Sequence, residues 1–333
     1  MRNKNLTLQH FIVPSIPFAS LLIGMSFLFW VFAYFSNQIF SLQSTTDING
    51  TLMEQVFIPN TLVSSIFSFI FSILNAVLLS QINTKFTLIR TRTFLPFFIF
   101  LLIMGTWDVT HVLNGSNFGL TLFALSLFLF FEMSRNLNAV EQSFMGSLLI
   151  GVSSLIIFPF VFLIPICWIG FVMFQSFSLR TFLASLIGIL NPWILYLAFR
   201  YYLNSDFDIV QYFSAFFAFK LAIPVFSLPI MIYIGMLILI LFLVLIGLYS
   251  NLNYDAIQTR NRINFLVLVL FTFSALSLIF NAYIITFLPL IAFTFSLIAS
   301  HPFSLKKGIF YPIVFYVFCV LNIAFLIYTH VFV

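Results

Sequence analysis

Long apolar runs are the feature that most constrains this chain. The segment "LPIMIYIGMLILILFLVLIG", residues 228–247, carries no charged side chain over 20 residues. A helix needs about 20 apolar residues to cross the ~30 Å hydrocarbon core of a bilayer, so such a run is typical of a membrane span. The whole chain is 62% hydrophobic and only 6% charged, which is too few polar side chains to cover a water-facing surface. Lipid is therefore the main solvent of this fold.

The pattern predicts an all-α, polytopic transmembrane helix bundle that forms one membrane domain over residues 1–333. We expect about eleven spans, near residues 16–36, 58–80, 94–106, 118–134, 144–158, 159–177, 181–202, 227–249, 263–281, 283–299 and 309–331. The third and fifth spans are short, so they are expected to be tilted, re-entrant or partly broken where protein shields the backbone. The first span follows a basic segment without a small-residue cleavage site and is expected to be retained.

The placement of Lys and Arg predicts the orientation of the bundle. When the loops are counted alternately, one set holds only Arg200 and Lys220. The other set holds eleven basic residues: Arg2, Lys4, Lys85, Arg90, Arg92, Arg135, Arg180, Arg260, Arg262, Lys306 and Lys307. Because cytoplasmic loops carry the excess of Lys and Arg, the N-terminus is predicted to be cytoplasmic and the C-terminus external.

The composition also argues against several function classes. The basic residues stand in short clusters between apolar runs, which is a pattern of membrane topology and not of nucleic-acid binding. Cys167 and Cys319 lie inside apolar segments, so we expect neither a disulfide framework nor a zinc site. No carboxylate except Glu132 is placed deep in a span, which disfavours a proton relay at the midplane. We expect no cofactor and no metal.

The positions of the four histidines bear on whether the chain could be an iron-dependent carotenoid oxygenase. Such a site needs several neutral imidazoles that converge on one metal ion. His10 and His301 are predicted to be cytoplasmic, whereas His111 and His330 are predicted to be external. The two pairs are separated by about 30 Å of bilayer and cannot meet, so the sequence does not favour this activity.

The stretch "GTWDVTHVLNGSNFG", residues 105–119, is the most polar part of an apolar neighbourhood and is predicted to be an external loop. With the other external loops it offers Asp47, Asp108 and His111 as candidate catalytic groups. A carboxylate could take the proton of a glycosyl acceptor as general base. Arg200 and Lys220 are candidates for binding the donor phosphate and stabilising the leaving charge.

Simpler interpretations stand beside these candidates. External loops must be polar somewhere, so each acid can be merely solvated. Arg200, next to Tyr201, fits a cation that anchors the end of a span at the interface. On the cytoplasmic side, Lys85, Arg90 and Arg92 form a basic loop that suits anionic lipid headgroups.

The middle of the chain resembles a known family. The basic loop and Leu-Pro-started span "NTKFTLIRTRTFLPFFIFLL" (residues 83–102) precede a paired short hairpin and a span that is expected to be broken or kinked at Asn191-Pro192. Over roughly residues 60–250 this arrangement is similar to an uncharacterised family of multi-pass inner-membrane proteins of Bacteroidota. The resemblance implies a Gram-negative inner membrane and brings no catalytic residues. The layout of spans and external loops also resembles lipid-linked glycosyltransferases and envelope-polysaccharide polymerases.

Three function classes remain open at this point. The first is an enzyme that acts at the external face on a polyprenyl-phosphate-linked sugar of the cell envelope. The second is a non-catalytic subunit or scaffold with partners in an envelope complex. The third is a transporter or flippase. The enzyme predicts acids and a cation that converge on one external pocket, the scaffold predicts scattered acids, and the transporter predicts a polar cavity that reaches the midplane.

Overall fold

The computed structural model describes residues 16–35, 61–203, 228–280, 284–305 and 309–331, and every regular element in them is helical. The described helices, in chain order, are α1 (Ile16–Phe35), α2 (Thr61–Phe86), α3 (Leu95–Thr106), α4 (Gly115–Glu132), α5 (Val140–Ile156), α6 (Leu163–Met173), α7 (Leu179–Leu203), α8 (Leu228–Leu252), α9 (Ile257–Ile279), α10 (Ile284–Leu305) and α11 (Phe310–Val331). Two 3-10 turns, Asp108–His111 and Phe158–Phe162, precede α4 and α6. The all-α bundle predicted from the sequence is confirmed.

Seven of the described helices are long and apolar enough to cross a membrane: α2, α4, α7, α8, α9, α10 and α11. The chain is therefore an integral, multi-pass membrane protein. The other apolar helices are shorter, and α3 has only 12 residues, which is about 18 Å at 1.5 Å per residue. The bounds of α3 agree with the short third span predicted from the sequence.

Helices α5 and α6 form a hairpin that is shorter than the hydrocarbon core. The start of α5 and the end of α6 lie together, because the segments next to them are hydrogen-bonded. The backbone N–H of Arg135 donates to the carbonyl of Phe174 at 2.9 Å, and the hydroxyl of Ser178 donates to the carbonyl of Leu137 at 3.1 Å. The 17 residues of α5 rise only about 26 Å before the chain turns back at Ile157. This hairpin corresponds to the paired short spans predicted at 144–158 and 159–177.

Glycines allow α5 and α7 to pack backbone against backbone. A Cβ atom on Gly188 would lie 2.5 Å from the carbonyl oxygen of Phe144, and one on Gly151 would lie 2.9 Å from that of Ile189. The sequence predicts that α7 is broken or kinked at Asn191-Pro192. The prediction of a break is wrong, because α7 continues as one helix through Pro192. The proline ring packs against the gap that Gly151 leaves in α5, and a membrane helix tolerates proline where neighbouring protein shields the backbone.

Helix α10 is the central helix of the bundle. Within its span, 83% of the residues are buried, and its neighbours include α3, α8, α9 and α11. The aromatic core surrounds it through contacts such as Phe293 with Phe100 and Phe303 with Phe315. Its position makes any polar side chain on α10 an interior feature of the bundle.

Side-chain hydrogen bonds connect the ends of α2, α4 and α6 with the start of α9. We call this end of the bundle the basic end. Arg262 of α9 donates to the carbonyls of Phe86 at the end of α2 and Phe131 near the end of α4. Asn261 donates to the carbonyl of Met173 at the end of α6 at 2.6 Å. Seven of the eight Lys and Arg residues in the described segments belong to this end: Lys85, Arg90, Arg92, Arg135, Arg180, Arg260 and Arg262. The described part of the chain therefore has the one-sided distribution of cations that the positive-inside rule associates with the cytoplasm.

Candidate functional site

The polar turn after α3 lies inside the end of the bundle opposite the basic end. Because α3 ends at Thr106 after about 18 Å, the following turn begins below the level that a full span would reach. The hydroxyl of Thr110 donates to the carbonyl of Trp107 at 2.6 Å. The carbonyl of Thr110 accepts a hydrogen bond from Ser68 of α2 at 2.5 Å. The turn is thus tied to α2 from within the bundle.

Trp107 and His111 point to different neighbours. The ring of Trp107 lies 5.6 Å from that of Tyr233 on α8 and 5.4 Å from that of Phe325 on α11. His111 is only 5% exposed, and its ring lies 4.3 Å from that of Trp30 on α1. Both side chains take part in aromatic packing, so Trp107 and His111 belong to the interior of the bundle and not to a solvated loop.

The other external candidates are only partly described. Asp47 and Lys220 lie outside the described residues, and so does the side chain of Asp108. Arg200 is half-buried in the last turn of α7. Helix α7 packs mainly on α5, whereas the turn that carries His111 packs on α1, α2 and α3. These contacts do not bring Arg200 to His111. From the sequence, Asp108 is also expected to pair with an external cation such as Arg200, and this stays a prediction.

The basic end contains a triad of bonded side chains that we call the basic-end cluster: Arg90, Asp255 and His301. Asp255 lies in the short turn between α8 and α9, where its backbone N–H donates to the carbonyl of Leu252 at 3.1 Å. Its Oδ2 is 2.9 Å from Nε2 of His301 on α10. Its Oδ1 accepts a hydrogen bond from Nε of Arg90 at 2.5 Å. The cluster therefore joins the loop before α3, the turn before α9 and the end of α10.

The three members differ in their access to water. The side chains of Asp255 and His301 are each 1% exposed, whereas that of Arg90 is 45% exposed. A carboxylate removed from water is costly unless it is paired and hydrogen-bonded, and here both of its oxygens have a partner. Arg90 thus connects a buried acid–imidazole pair with the surface of the basic end.

One nitrogen of the imidazole remains available. Nδ1 of His301 is buried and has no hydrogen-bond partner among the described residues. A carboxylate that holds one ring nitrogen fixes the orientation of the ring and leaves the other nitrogen to exchange a proton. The arrangement of Asp255 and His301 is therefore chemically suited to general acid–base work.

Further cations lie at the same end of the bundle. Lys85 forms an ion pair with Glu132, and its ammonium lies 4.0 Å from the ring centre of Phe128. Arg92 is exposed on the same loop as Arg90. The three residues predicted to bind lipid headgroups thus lie at one end of the bundle, but Lys85 and Arg90 each also have a carboxylate partner inside the protein.

The sequence predicts that His301 is cytoplasmic, but it does not connect this residue with Asp255. The predicted tenth span ends at residue 299, so His301 was assigned to a loop, whereas α10 continues to Leu305. One rule could have identified this pair: an ionisable side chain inside a membrane helix costs free energy, so it usually has a partner and marks a functional site. Asp255 is the carboxylate in the neighbouring loop that could have been named as this partner.

The described residues contain no group of three or more His, Cys, Asp and Glu side chains arranged to hold a metal ion. His301 belongs to the basic end, whereas His111 belongs to the opposite end. His10 and the side chain of His330 lie outside the described residues.

Comparison with known proteins adds no identification. No protein-family model matches the chain, and no similar curated protein or solved structure is found.

Proposed function

We propose that this integral membrane protein acts on a phosphate-bearing membrane lipid at its basic end, with a polyprenyl-linked envelope glycan as the substrate class. One observation carries the proposal: half-exposed Arg90 is bonded to a buried Asp255–His301 pair, at the end of the bundle that holds most of the described cations. Phosphate is the lipid group that guanidinium side chains bind best, because their donors match its oxygens.

The residues of the basic-end cluster take complementary roles in this proposal. Arg90, helped by Arg92, holds the phosphate at the membrane surface. His301 accepts, through Nδ1, the proton of the acceptor hydroxyl as the acceptor oxygen bonds to the sugar and the bond from the sugar to the lipid phosphate breaks; the phosphate leaves with the electron pair. Asp255 holds the ring through Nε2 and stabilises the imidazolium that forms. The roles rest on three observations: the guanidinium of Arg90 is half-exposed, both oxygens of Asp255 have a partner, and Nδ1 of His301 is the ring nitrogen that Asp255 does not hold.

Binding of farnesyl phosphate and farnesol to the purified protein in detergent tests the proposal. These two short probes differ only in the phosphate. The protein should bind farnesyl phosphate, and Arg90→Gln should weaken this binding about tenfold, which corresponds to ~1.4 kcal/mol. The double variant Arg90→Gln/Asp255→Asn repeats the test without leaving a buried carboxylate unpaired.

Arg180→Gln is the matched control, because it removes an exposed cation of the same end that does not belong to the basic-end cluster. This variant should leave the affinity for farnesyl phosphate unchanged. Equal affinities for farnesyl phosphate and farnesol, or equal losses in the two arginine variants, would contradict a phosphate site at the basic-end cluster.

In a second candidate function, the protein acts on the same class of lipid at the end of the bundle opposite the basic end. The observation that favours it is the short α3, which brings the turn from Trp107 to His111 inside the bundle. In this version Asp47, Asp108 and His111 supply acid–base groups, and Arg200 and Lys220 bind the phosphate. The candidate requires a cleft formed by segments that include residues beyond the described ones.

Glycan analysis of a deletion strain tests this second candidate. The strain should lose an envelope glycan, as measured by mass spectrometry, and the wild-type chain should restore it. Asp108→Asn should then fail to restore it, whereas Glu141→Gln, a matched removal of an exposed acid at the basic end, should succeed. Restoration by Asp108→Asn would remove this acid from the candidate site.

We also propose that the protein resides in the inner membrane of a Gram-negative cell. The support is the resemblance of residues 60–250 to the inner-membrane family of Bacteroidota, together with the helical bundle. Outer-membrane proteins are typically closed β-barrels, whereas helical bundles are typical of inner membranes. Separation of the two membranes by density should place the tagged chain in the inner-membrane fraction.

A further inference from the structure

The loop that carries Arg90 begins at an unusual helix end. Helix α2 ends at Phe86, and Thr87 then adopts a left-handed backbone conformation with a φ of 47°. Glycine is the common residue at this position, because a side chain is crowded there, and a β-branched side chain is disfavoured most. Such a conformation persists only where the surrounding contacts fix the chain.

Asn83, in the last turn of α2, supplies two of these contacts. Its backbone carbonyl accepts a hydrogen bond from the N–H of Leu88 at 3.3 Å, which is the bond that closes a helix end of the Schellman type. Its side-chain Oδ1 accepts a second hydrogen bond, from the N–H of Ile89 at 3.2 Å. One residue thus binds two successive N–H groups just before Arg90.

This segment lies inside the protein up to Ile89. Asn83, Leu88 and Ile89 are each at most 5% exposed, whereas the next residue, Arg90, is exposed. A buried N–H group that loses its acceptor is costly, so the segment cannot leave Asn83 without a penalty. The loop is therefore anchored directly before the point where Arg90 reaches the surface.

Arg90 is consequently held at both of its ends. Asn83 binds the N–H of the residue before it, and Asp255 binds its guanidinium. The bond to Asp255 uses Nε, so this contact leaves the terminal nitrogens Nη1 and Nη2 for another acceptor. An arginine that is fixed in this way presents its remaining donors to a phosphate with little further loss of conformational freedom.

The end of α2 does not require the amide side chain of Asn83. The bond to Leu88 uses the backbone carbonyl of Asn83, which any residue would supply. A separate cation, Arg262, donates to the carbonyl of Phe86 at 3.4 Å and stabilises the same helix end. The feature that is specific to asparagine is therefore the bond from Oδ1 to the segment before Arg90.

We propose that Asn83 is a positioning residue for Arg90. Its side chain fixes the backbone before Arg90, and it thereby sets the place of the guanidinium at the basic end. The inference rests on the proposed function and adds to it a residue that does not touch the lipid. Because Asn83 acts through Arg90, its loss should affect phosphate binding only while Arg90 is present.

A double-mutant cycle on the affinity for farnesyl phosphate tests this dependence in the full-length protein. Asn83→Leu nearly keeps the size of the side chain and removes the acceptor, so it should weaken binding about fivefold. The double variant Asn83→Leu/Arg90→Gln should bind no more weakly than Arg90→Gln alone. Asn75→Leu is the matched control, since Asn75 is a buried asparagine of the same helix, more than two turns from the loop.

The control should leave the affinity unchanged. A loss in Asn83→Leu that persists in full beside Arg90→Gln would overturn the proposal, because Asn83 would then act on binding independently of Arg90. Equal losses in the two leucine variants would overturn it as well, since they would reflect a general effect of changes in α2.

Hydrogen exchange separates this proposal from the proposed function, because it requires no lipid. In the wild-type protein the amide hydrogen of Ile89 should exchange at least about a hundredfold more slowly than in an unfolded chain. Asn83→Leu should accelerate this exchange about tenfold, and Asn75→Leu should not. Wild-type protein without this protection, or an unchanged rate in Asn83→Leu, would contradict the proposal. If the exchange agrees but the wild-type protein does not prefer farnesyl phosphate to farnesol, the proposed function fails and the positioning of Arg90 stands.

Discussion

At the scale of single residues, burial distinguishes the ion pairs of this protein. Lys85 and Glu132 are partly exposed at the surface of the basic end, and such pairs typically contribute ~0–1 kcal/mol. Asp255 and His301 are almost fully buried, and the imidazole of His301 depends on Asp255 for its side-chain hydrogen bond. Loss of one member of a buried pair leaves the other without compensation, which is far more costly than loss of a surface pair.

Asp255→Ala should therefore destabilise the protein much more than Glu132→Ala. The change removes both the acceptor of His301 and the acceptor of Arg90. Arg90 remains half-exposed and can bind water instead, so its loss of a partner costs little. We therefore expect the free energy of unfolding to fall by about 2–4 kcal/mol, mainly because His301 loses its buried partner. Thermal unfolding in detergent gives the melting temperature of each variant. Similar melting temperatures would show that the buried Asp255–His301 pair does not stabilise the protein.

Individual site residues could be predicted only where the sequence itself is unusual. The polar stretch around His111 stands out against its apolar neighbours, and the structure places this residue inside the bundle. Asp255 and His301 do not stand out, because they are 46 residues apart and meet only when α10 packs beside the turn before α9. Their pairing is a property of the assembled bundle and not of any local pattern.

At the scale of helices, close packing in this bundle depends on small residues where two backbones approach. Lipid tails are as apolar as the side chains, so helices in a membrane gain little from the hydrophobic effect and associate through close packing. The interface of α5 and α7 follows this rule, with Gly188 against the backbone of Phe144 and Gly151 against that of Ile189. The contact fails if either glycine acquires a side chain.

Gly188→Ala should separate α5 from α7 and destabilise the protein by about 1–3 kcal/mol, the usual cost of overpacking. The new Cβ atom would lie 2.5 Å from a backbone oxygen, which cannot rotate away as a side chain can. Gly235→Ala on α8 is the matched control, since a Cβ atom there meets no other atom within 4 Å. The control should be neutral or stabilising by about 0.5–1 kcal/mol, because alanine favours the helix. Equal melting temperatures of the two variants would contradict the tight α5–α7 contact.

Hydropathy and length were sufficient to predict where the helices lie, but not where they end. The predicted third span, 94–106, matches α3 within one residue. Helices α2 and α10 each continue six residues beyond their predicted spans, to Phe86 and Leu305. Both extensions carry polar residues that apolarity alone assigns to loops. The helix continues because protein contacts at the basic end replace the lipid that hydropathy assumes.

At the scale of the whole molecule, the bundle has two chemically different ends. The basic end holds the cluster of Arg90, Asp255 and His301 and most of the described cations. The opposite end holds an aromatic interior built around Trp107 and Tyr233. The proposed lipid-phosphate site requires that the basic end faces the cytoplasm, where the positive-inside rule places Lys and Arg.

Reporter fusions test this orientation most directly. A reporter after residue 85 or residue 257, next to the basic-end cluster, should be active in the cytoplasm. A reporter after residue 112, in the turn at the opposite end, should be active outside the membrane, and so should a reporter at the C-terminus. The account predicts cytoplasmic readings at 85 and 257 together with an external reading at 112, and an external reading at residue 85 would contradict it.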